Sequence, residues 1–141
     1  MAYIINPSPI ELKTFVLDNA AVQSITAFTD INLQVSTGRP FAIIGASLQY
    51  QGTNNFSDQV AAGFVYLTNI AGAGIIATYQ DASFTRLLLR PGEAFNFVVN
   101  QDPSAPSYGP KYVDDELNIV FDADYSTGDG IFIIKIAGFY F

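Results

Sequence analysis

Apolar and polar side chains alternate with a period of two along most of the chain. Between positions 25 and 35, odd positions carry residues such as Ile25, Ile31 and Leu33, whereas the even positions are polar except for Phe28. An alternation of this kind is typical of a β-strand that buries one face and exposes the other. The pattern therefore predicts a strand over residues 25–35.

Other segments carry the same alternation or a short apolar run, and segments rich in glycine, proline and asparagine separate them. The further predicted strands cover residues 10–17, 41–51, 60–70, 74–80, 84–89, 94–101, 117–122 and 131–140. No amphipathic helix of useful length interrupts them. Short strands at this spacing predict an all-β fold, an antiparallel β-sandwich of about eight strands. Periodicity does not distinguish a jelly roll from an immunoglobulin-like strand order, because connections between sheets leave little trace in a sequence.

The length of the chain predicts one domain with an extended arm. A chain of 141 residues can bury one sizeable core. Pro7 and Pro9 restrict the backbone and remove two hydrogen-bond donors, so we expect residues 1–9 to form an extended N-terminal arm. Residues 10–141 then form a single β-sandwich domain, and residues 102–116, with three prolines, form its longest loop.

The chain contains neither cysteine nor histidine. Disulfide bonds, thiol nucleophiles and histidine general bases are therefore excluded, together with the usual zinc, copper and non-haem iron sites. Catalytic Ser-His-Asp and Cys-His arrangements are excluded for the same reason. The composition thus favours a protein that is not an enzyme and needs no cofactor.

The charge of the chain limits its partners. Six basic residues stand against 13 acidic ones, and the net charge of −7 repels both nucleic-acid phosphates and anionic lipid head groups. The chain has no basic signal-peptide start and no apolar run of ~18 residues, so we expect a soluble protein made in a cytoplasm, without a membrane segment. Only 13% of the residues are charged, about half of the ~25% typical of soluble domains. This shortage indicates that neutral polar residues coat part of the surface and that another molecule covers another part.

An acidic segment, residues 121–136, partly resembles a calcium loop. Asp122, Asp124 and Asp129 provide carboxylates within it, and Asp122, Asp124 and Ser126 have the spacing of the first three calcium ligands. Such a loop also needs glycine at its sixth position and glutamate at its twelfth, and neither is present. Calcium binding is therefore the less favoured of two interpretations.

The favoured interpretation of the acidic segment is the turn of a β-hairpin. Residues 117–122 and 131–136 would pair as its strands. Gly128 and Gly130 would supply the positive φ angles of the loop, and the aspartates would bind backbone amides.

Two groups of side chains near the longest loop could act on or bind carbohydrate. Asp114, Asp115 and Glu116 could supply the paired carboxylates of a glycoside hydrolase. Adjacent strand residues point to opposite faces, however, so a solvated strand entry is favoured. Tyr108 and Tyr112 could stack on a sugar or receptor, although packing of the loop onto the sheet is the favoured explanation. A carbohydrate- or receptor-binding module, with or without calcium, is therefore the alternative function.

The most informative segment is the last predicted strand, which runs from residue 131 to the end of the chain. Both of its faces are apolar apart from Lys135. Antiparallel sheets normally present one face to water, so a strand with two apolar faces is expected to be covered on both sides. We expect a second copy of the chain to cover the outer side, with residues 1–9 of the same chain as the alternative.

These features together resemble the single jelly-roll proteins of virus and bacteriophage particles. The resemblance rests on the proline-containing arm, about eight strands, the Arg90-Pro-Gly-Glu93 corner and the final strand. It covers nearly the whole chain, but it is architectural and includes no diagnostic motif. It implies a location in the virion, as a minor capsid, penton, decoration or spike-base subunit. The implied partners are further copies of the chain and other virion structural proteins.

Overall fold

The structure is a computed structural model that describes residues 9–33, 41–69, 74–99, 111–113 (backbone only) and 117–140. These residues form one short helix, α1 (Asn19–Gln23), and thirteen β-strands. The strands are β1 (Glu11–Leu17), β2 (Ile31–Asn32), β3 (Phe41–Gln51), β4 (Phe56–Asp58), β5 (Phe64–Thr68), β6 (Ile75–Gln80), β7 (Leu88–Leu89), β8 (Ala94–Asn96), β9 (Val98–Val99), β10 (Lys111–Val113), β11 (Asn118–Phe121), β12 (Tyr125–Thr127) and β13 (Ile131–Tyr140).

The strands form three antiparallel sheets. In the first sheet, β1 pairs with β13, β13 pairs with β3, and β3 also pairs with β8 and β10. In the second sheet the order is β2-β11-β5-β6-β9. The third sheet is small and contains β12, β4 and β7.

The pairing of distant strands sets the topology. β1 pairs with β13, β2 with β11, β3 with β8 and β5 with β6, so the chain folds back on itself as one long antiparallel hairpin. Rolling up this hairpin places β13 beside β3 and β11 beside β5, which completes the two main sheets. This strand order is that of a jelly roll. It differs from the immunoglobulin order, in which the first and last strands lie in different sheets. The predicted all-β antiparallel sandwich is confirmed.

The hydrophobic core lies between the two main sheets. Inward-facing Leu48 of β3 and Ile134 of β13 lie directly opposite each other in the first sheet. They belong to the same cluster of buried residues as Leu67 and Ile119, which face inward from the second sheet. Burial of each such side chain stabilises the fold by about 1.5–3 kcal/mol.

The helix α1 is a short element between β1 and β2. Asp18 caps its first turn, and its carboxylate accepts a hydrogen bond from the N–H of Ala21 at 2.8 Å. The helix has five residues and buries Val22. In the described part of the chain, no helix has the length and apolar character needed to cross a membrane.

Several predicted strands are found where the alternation places them. The predictions for residues 41–51 and 131–140 match β3 and β13 residue for residue. The strands predicted near residues 10, 74 and 117 correspond to β1, β6 and β11 with small shifts at their ends. Residues 1–8 of the predicted arm and most of the predicted loop 102–116 lie outside the described residues.

Two predicted strands are largely wrong. Within residues 25–33, strand structure is limited to Ile31–Asn32, because Phe28 takes a positive φ of 55° and its N–H donates to the carbonyl of Phe121 at 2.8 Å. The strand predicted over residues 84–89 is reduced to Leu88–Leu89, since Phe84 also has a positive φ, of 58°. A residue with this backbone angle cannot continue a strand.

The expected hairpin between residues 117–122 and 131–136 is also wrong. β11 pairs with β2 and β5 in the second sheet, whereas β13 pairs with β1 and β3 in the first. The segment between them crosses from one sheet to the other and contains β12, which pairs with β4. The sequence does not predict β4, β10 and β12, because strands of three residues are too short to show a period.

Candidate interaction surfaces

The last strand turns one side towards the core and the other towards the outside of the first sheet. Residues directly opposite each other in antiparallel strands share a face, so the register of β1, β13 and β3 aligns three rows on the outside. We call this surface the outer face. Its members are Leu12, Thr14, Val16, Ile133, Lys135, Ala137, Gly45, Ser47 and Gln49.

The outer face is apolar along β1 and β13 and neutral along β3. Leu12 and Val16 are 64% and 57% exposed, and Ile133 and Ala137 are partly exposed. Lys135 is the one charged member of the outer face. Apolar side chains held in contiguous rows in contact with water favour association with another surface.

The burial of β13 agrees with one part of the prediction for the last strand. Its even positions from Phe132 to Gly138 are buried, whereas its odd positions from Ile131 to Phe139 are partly or fully exposed. The core therefore covers the inner side. A cover for the outer side stays a prediction.

A shallow depression of about 240 Å³ lies on the outer face. Its lining includes Leu12, Gly45, Lys135 and Ala137. Gly45 leaves the depression open, because a Cβ atom at this position would have no neighbour within 4 Å. A larger side chain at position 45 would therefore project from the outer face without disturbing the sheet.

The second surface lies at one end of the sandwich, and we call it the loop end. It consists of the four connections 18–30, 52–63, 81–93 and 122–130. Successive strands of a jelly roll run in opposite directions, so every second connection returns to the same end. Hydrogen bonds between the four connections hold them together.

Asp122 and Asp124 join one connection of the loop end to two others. Asp124 Oδ1 accepts a hydrogen bond from the N–H of Ala27 at 2.7 Å, and Asp122 Oδ2 accepts one from the N–H of Ala62 at 3.1 Å. The carbonyl of Asp124 also accepts a hydrogen bond from the N–H of Gln59 at 2.8 Å. Both carboxylates thus bind backbone amides, as the turn interpretation predicts, although these amides are distant in sequence.

Asp129 holds the connection that follows β3. Its Oδ1 accepts hydrogen bonds from the N–H groups of Thr53 and Asn54 at 2.8 and 3.0 Å. The hydrogen bond from Asn54 is the main cause that lowers the pKa of the Asp129 carboxyl. The hydroxyl of Tyr50 donates to the carbonyl of Asn54 at 2.6 Å and accepts from the N–H of Asp129 at 3.1 Å. Burial raises the pKa of this hydroxyl.

The three aspartates of the calcium hypothesis therefore bind backbone amides at three separate places: Asp124 at Ala27, Asp122 at Ala62, and Asp129 at Thr53 and Asn54. Among the residues that the structure describes, no three acidic side chains lie close enough together to hold a metal ion. Gly128 has a positive φ, of 138°, as the turn interpretation predicts. The positive φ predicted for Gly130 is wrong. Glycine is required there because a Cβ atom would collide with the carbonyl oxygen of Gln51. The calcium alternative gains no support from this geometry.

Two carboxylates of the loop end are buried, and the sequence does not predict their burial. Asp58 Oδ1 accepts the N–H of Leu87 at 2.8 Å, and Asp81 Oδ2 accepts the N–H of Leu88 at 3.1 Å. Asp58 Oδ2 is buried without a hydrogen-bond partner. Burial raises the pKa of Asp58 to about 6, with smaller contributions from the charges of Asp122 and Asp81. Single aspartates among polar neighbours give no sequence signal of burial.

The other predicted site residues cannot be placed. Asp114, Asp115, Glu116 and Tyr108 lie outside the described residues, and of Tyr112 only the backbone, in β10, is described. Their suggested roles in carbohydrate cleavage and in glycan or receptor binding stay predictions.

No protein-family model matches the chain, and no curated protein matches it at a significant level. Among solved structures, a chain from the capsid asymmetric unit of the cyanophage Pam1 is similar, with a TM-score of 0.53 and 9% sequence identity. The similarity covers 99% of this chain and 89% of that chain. The shared property is the fold.

Two chains of infectious bursal disease virus (IBDV) are similar at a lower level. A chain from the T13 IBDV particle has a TM-score of 0.30 and 11% identity, over 93% of this chain and 35% of that one. A chain from the VP2 subviral particle has a TM-score of 0.23 and 11% identity, over 96% and 41%. Superpositions this weak support no conclusion. The similarity to the cyanophage chain alone confirms the predicted resemblance to proteins of virus particles, and it does so for the fold.

Proposed function

We propose that the chain is a non-enzymatic structural subunit of a virus or bacteriophage particle. The jelly-roll topology and the similarity to most of a cyanophage capsid chain support this function. The lack of cysteine and histidine supports it too, because the side chains most often used in catalysis are missing. In this role the chain acts through its shape, by binding copies of itself and neighbouring shell proteins.

The observation that carries self-assembly, the way in which we propose that the subunit acts, is the outer face. Two apolar pairs, Leu12 with Ala137 and Val16 with Ile133, lie side by side across β1 and β13. Contact with a second copy would remove these pairs from water, at about 25 cal/mol per Å² of apolar area. A second copy is a suitable occupant because Lys135 is the one charge on the face, so little like-charge repulsion opposes contact between identical surfaces.

We expect the unmodified protein to form a homo-oligomer and the double substitution Leu12→Glu/Val16→Glu to convert it to the 15.3 kDa monomer. Both side chains are exposed in the single subunit, so the fold tolerates the change. In a contact between subunits, two unpaired carboxylates would lose their hydration and raise the dissociation constant at least about 100-fold. Light scattering after size-exclusion chromatography measures the mass.

Two further variants test whether the effect comes from obstruction of the outer face or merely from an added charge anywhere on the surface. Gly45→Gln adds an uncharged side chain to the outer face and should also weaken the oligomer. Val98→Glu replaces an exposed apolar residue of the second sheet and should leave the mass unchanged. A wild-type protein that stays monomeric at high concentration would contradict assembly through the outer face.

Within the particle, we propose a position as a minor capsid, penton, decoration or spike-base subunit in contact with other shell proteins. Electron microscopy of native particles tests this position. The expected result is density for the jelly roll at one of these places, with the outer face against another subunit. Particles of the source virus that lack the chain would contradict the proposal.

A further inference from the structure

The loop end has four exposed large apolar side chains, and three of them are much more exposed than the fourth, Leu88. Phe28, Val60 and Phe84 are 71%, 72% and 65% exposed. They come from three different connections, yet hydrogen bonds link the three connections closely. The N–H groups of Ala27 and Gln59 both donate to Asp124.

The connection 81–93, which carries Phe84, is hydrogen-bonded to the connection that carries Val60. The N–H of Ala61 donates to the carbonyl of Thr85 at 3.0 Å, which places Val60 and Phe84 next to bonded residues. The three side chains therefore stand on one hydrogen-bonded platform rather than on independent loops.

The backbone holds both phenylalanines in an unfavourable conformation. Phe28 and Phe84 are the two non-glycine residues with positive φ in the described part of the chain. Bulky residues rarely adopt this conformation, and it persists only where surrounding bonds enforce it. The N–H of Phe28 donates to Phe121, and that of Phe84 donates to the carbonyl of Asp81 at 3.0 Å. The fold thus keeps two exposed aromatic rings in place at a cost in stability.

The loop end also carries most of the charge of the protein. Its four connections contain eight of the 13 acidic residues and two of the six basic ones, Arg86 and Arg90, so its net charge is −6 out of −7. Arg90 lies 3.7 Å from Glu93 in an ion pair. Asp18, at the cap of α1, and Asp30, next to β2, bracket the connection that carries Phe28.

We propose that the loop end is a docking surface for a basic protein partner whose contact surface also carries apolar side chains. The rings of Phe28 and Phe84 and the side chain of Val60 would supply apolar contact, and the negative potential would attract and orient the partner. A second copy of the chain is a poor occupant, because two loop ends would bring net charges of −6 together. This surface is separate from the outer face and does not depend on assembly through it.

The test uses a synthetic peptide of alternating lysine and leucine as the probe, with isothermal titration calorimetry as the readout. We expect the full chain to bind this peptide and the double substitution Phe28→Gly/Phe84→Gly to weaken binding at least tenfold. A peptide of alternating glutamate and leucine should not bind. Substitution of Asp18 and Asp30 by asparagine, which can still cap α1, should weaken binding and reduce its dependence on salt.

The glycine variant separates binding from folding. Glycine adopts positive φ readily, so Phe28→Gly/Phe84→Gly should keep or raise the melting temperature while it loses binding. Val98→Gly, which removes an exposed apolar side chain of the second sheet, should leave peptide affinity unchanged. Equal affinity of the wild type and Phe28→Gly/Phe84→Gly, or no binding by the wild type, would overturn the proposal. Neither result bears on the oligomer of the outer face.

Discussion

Replacing Phe132 with alanine is expected to lower the free energy of unfolding by about 3–5 kcal/mol. Phe132 is fully buried on β13. Its ring centroid lies 4.8 Å from that of Phe56 in the third sheet and 5.7 Å from that of Phe121 in the second. The ring of Tyr50, from the first sheet, also lies 5.7 Å away. Phe132 therefore packs where all three sheets meet, and its removal leaves a cavity that no single sheet can close.

Urea denaturation followed by circular dichroism measures this loss. Ile75→Ala is a suitable control, because Ile75 is an exposed apolar strand residue, and its loss should cost less than about 1 kcal/mol. A similarly small loss for Phe132→Ala would show that the three sheets do not share one core at this residue.

The second large effect is a change in the pH dependence of stability on substitution of Asp58 with asparagine. The pKa of Asp58 in the folded chain is about 6, above its ordinary value of 3.8, because the carboxyl is buried. Between about pH 4 and 6 the folded state therefore binds more protons than the unfolded state, and this group makes stability fall as pH rises. The difference of about two pKa units corresponds to about 3 kcal/mol.

Asparagine can still accept the hydrogen bond from Leu87, but it does not ionise. We expect the stability of Asp58→Asn, relative to the wild type, to rise by about 3 kcal/mol from pH 4 to pH 7. Urea denaturation at several pH values measures this difference, and effects of all other groups largely cancel in it. Curves for Asp58→Asn that run parallel to those of the wild type over this pH range would refute a buried, ionising Asp58.

The two longest strands, β3 and β13, could be predicted because the alternation of buried and exposed side chains along them is visible between near neighbours in the sequence. In β13 the inward and outward positions alternate from Ile131 to Phe139, and in β3 they alternate from Gly45 to Gln51, so a local period of two runs through most of each strand. The apolar outer side of β13 could be read in the same way. Its neighbours Leu12 and Val16 could not, because they lie at the other end of the chain and only the pairing of β1 with β13 brings them together.

The two failed strand predictions have a common cause. Residues near Phe28 alternate like a strand and residues 84–89 end in an apolar run, but hydrogen bonds to Phe121 and Asp81 hold Phe28 and Phe84 at a positive φ. Phe28 was the one residue that broke the predicted alternation, and this irregularity was the available signal. The buried state of Asp58 had no comparable signal, since it depends on Leu87 and on the packing of β4 against β7.

Taken alone, the sequence determined the all-β class, the absence of histidine and cysteine chemistry, and an apolar last strand. Each of these depends on composition or on a pattern between near neighbours. The tertiary structure decided the jelly-roll order, the joining of β1 to β13 into one outer face, and the gathering of negative charge and exposed rings at the loop end. These features depend on contacts between residues far apart in the chain, and local periodicity carries no information about such contacts.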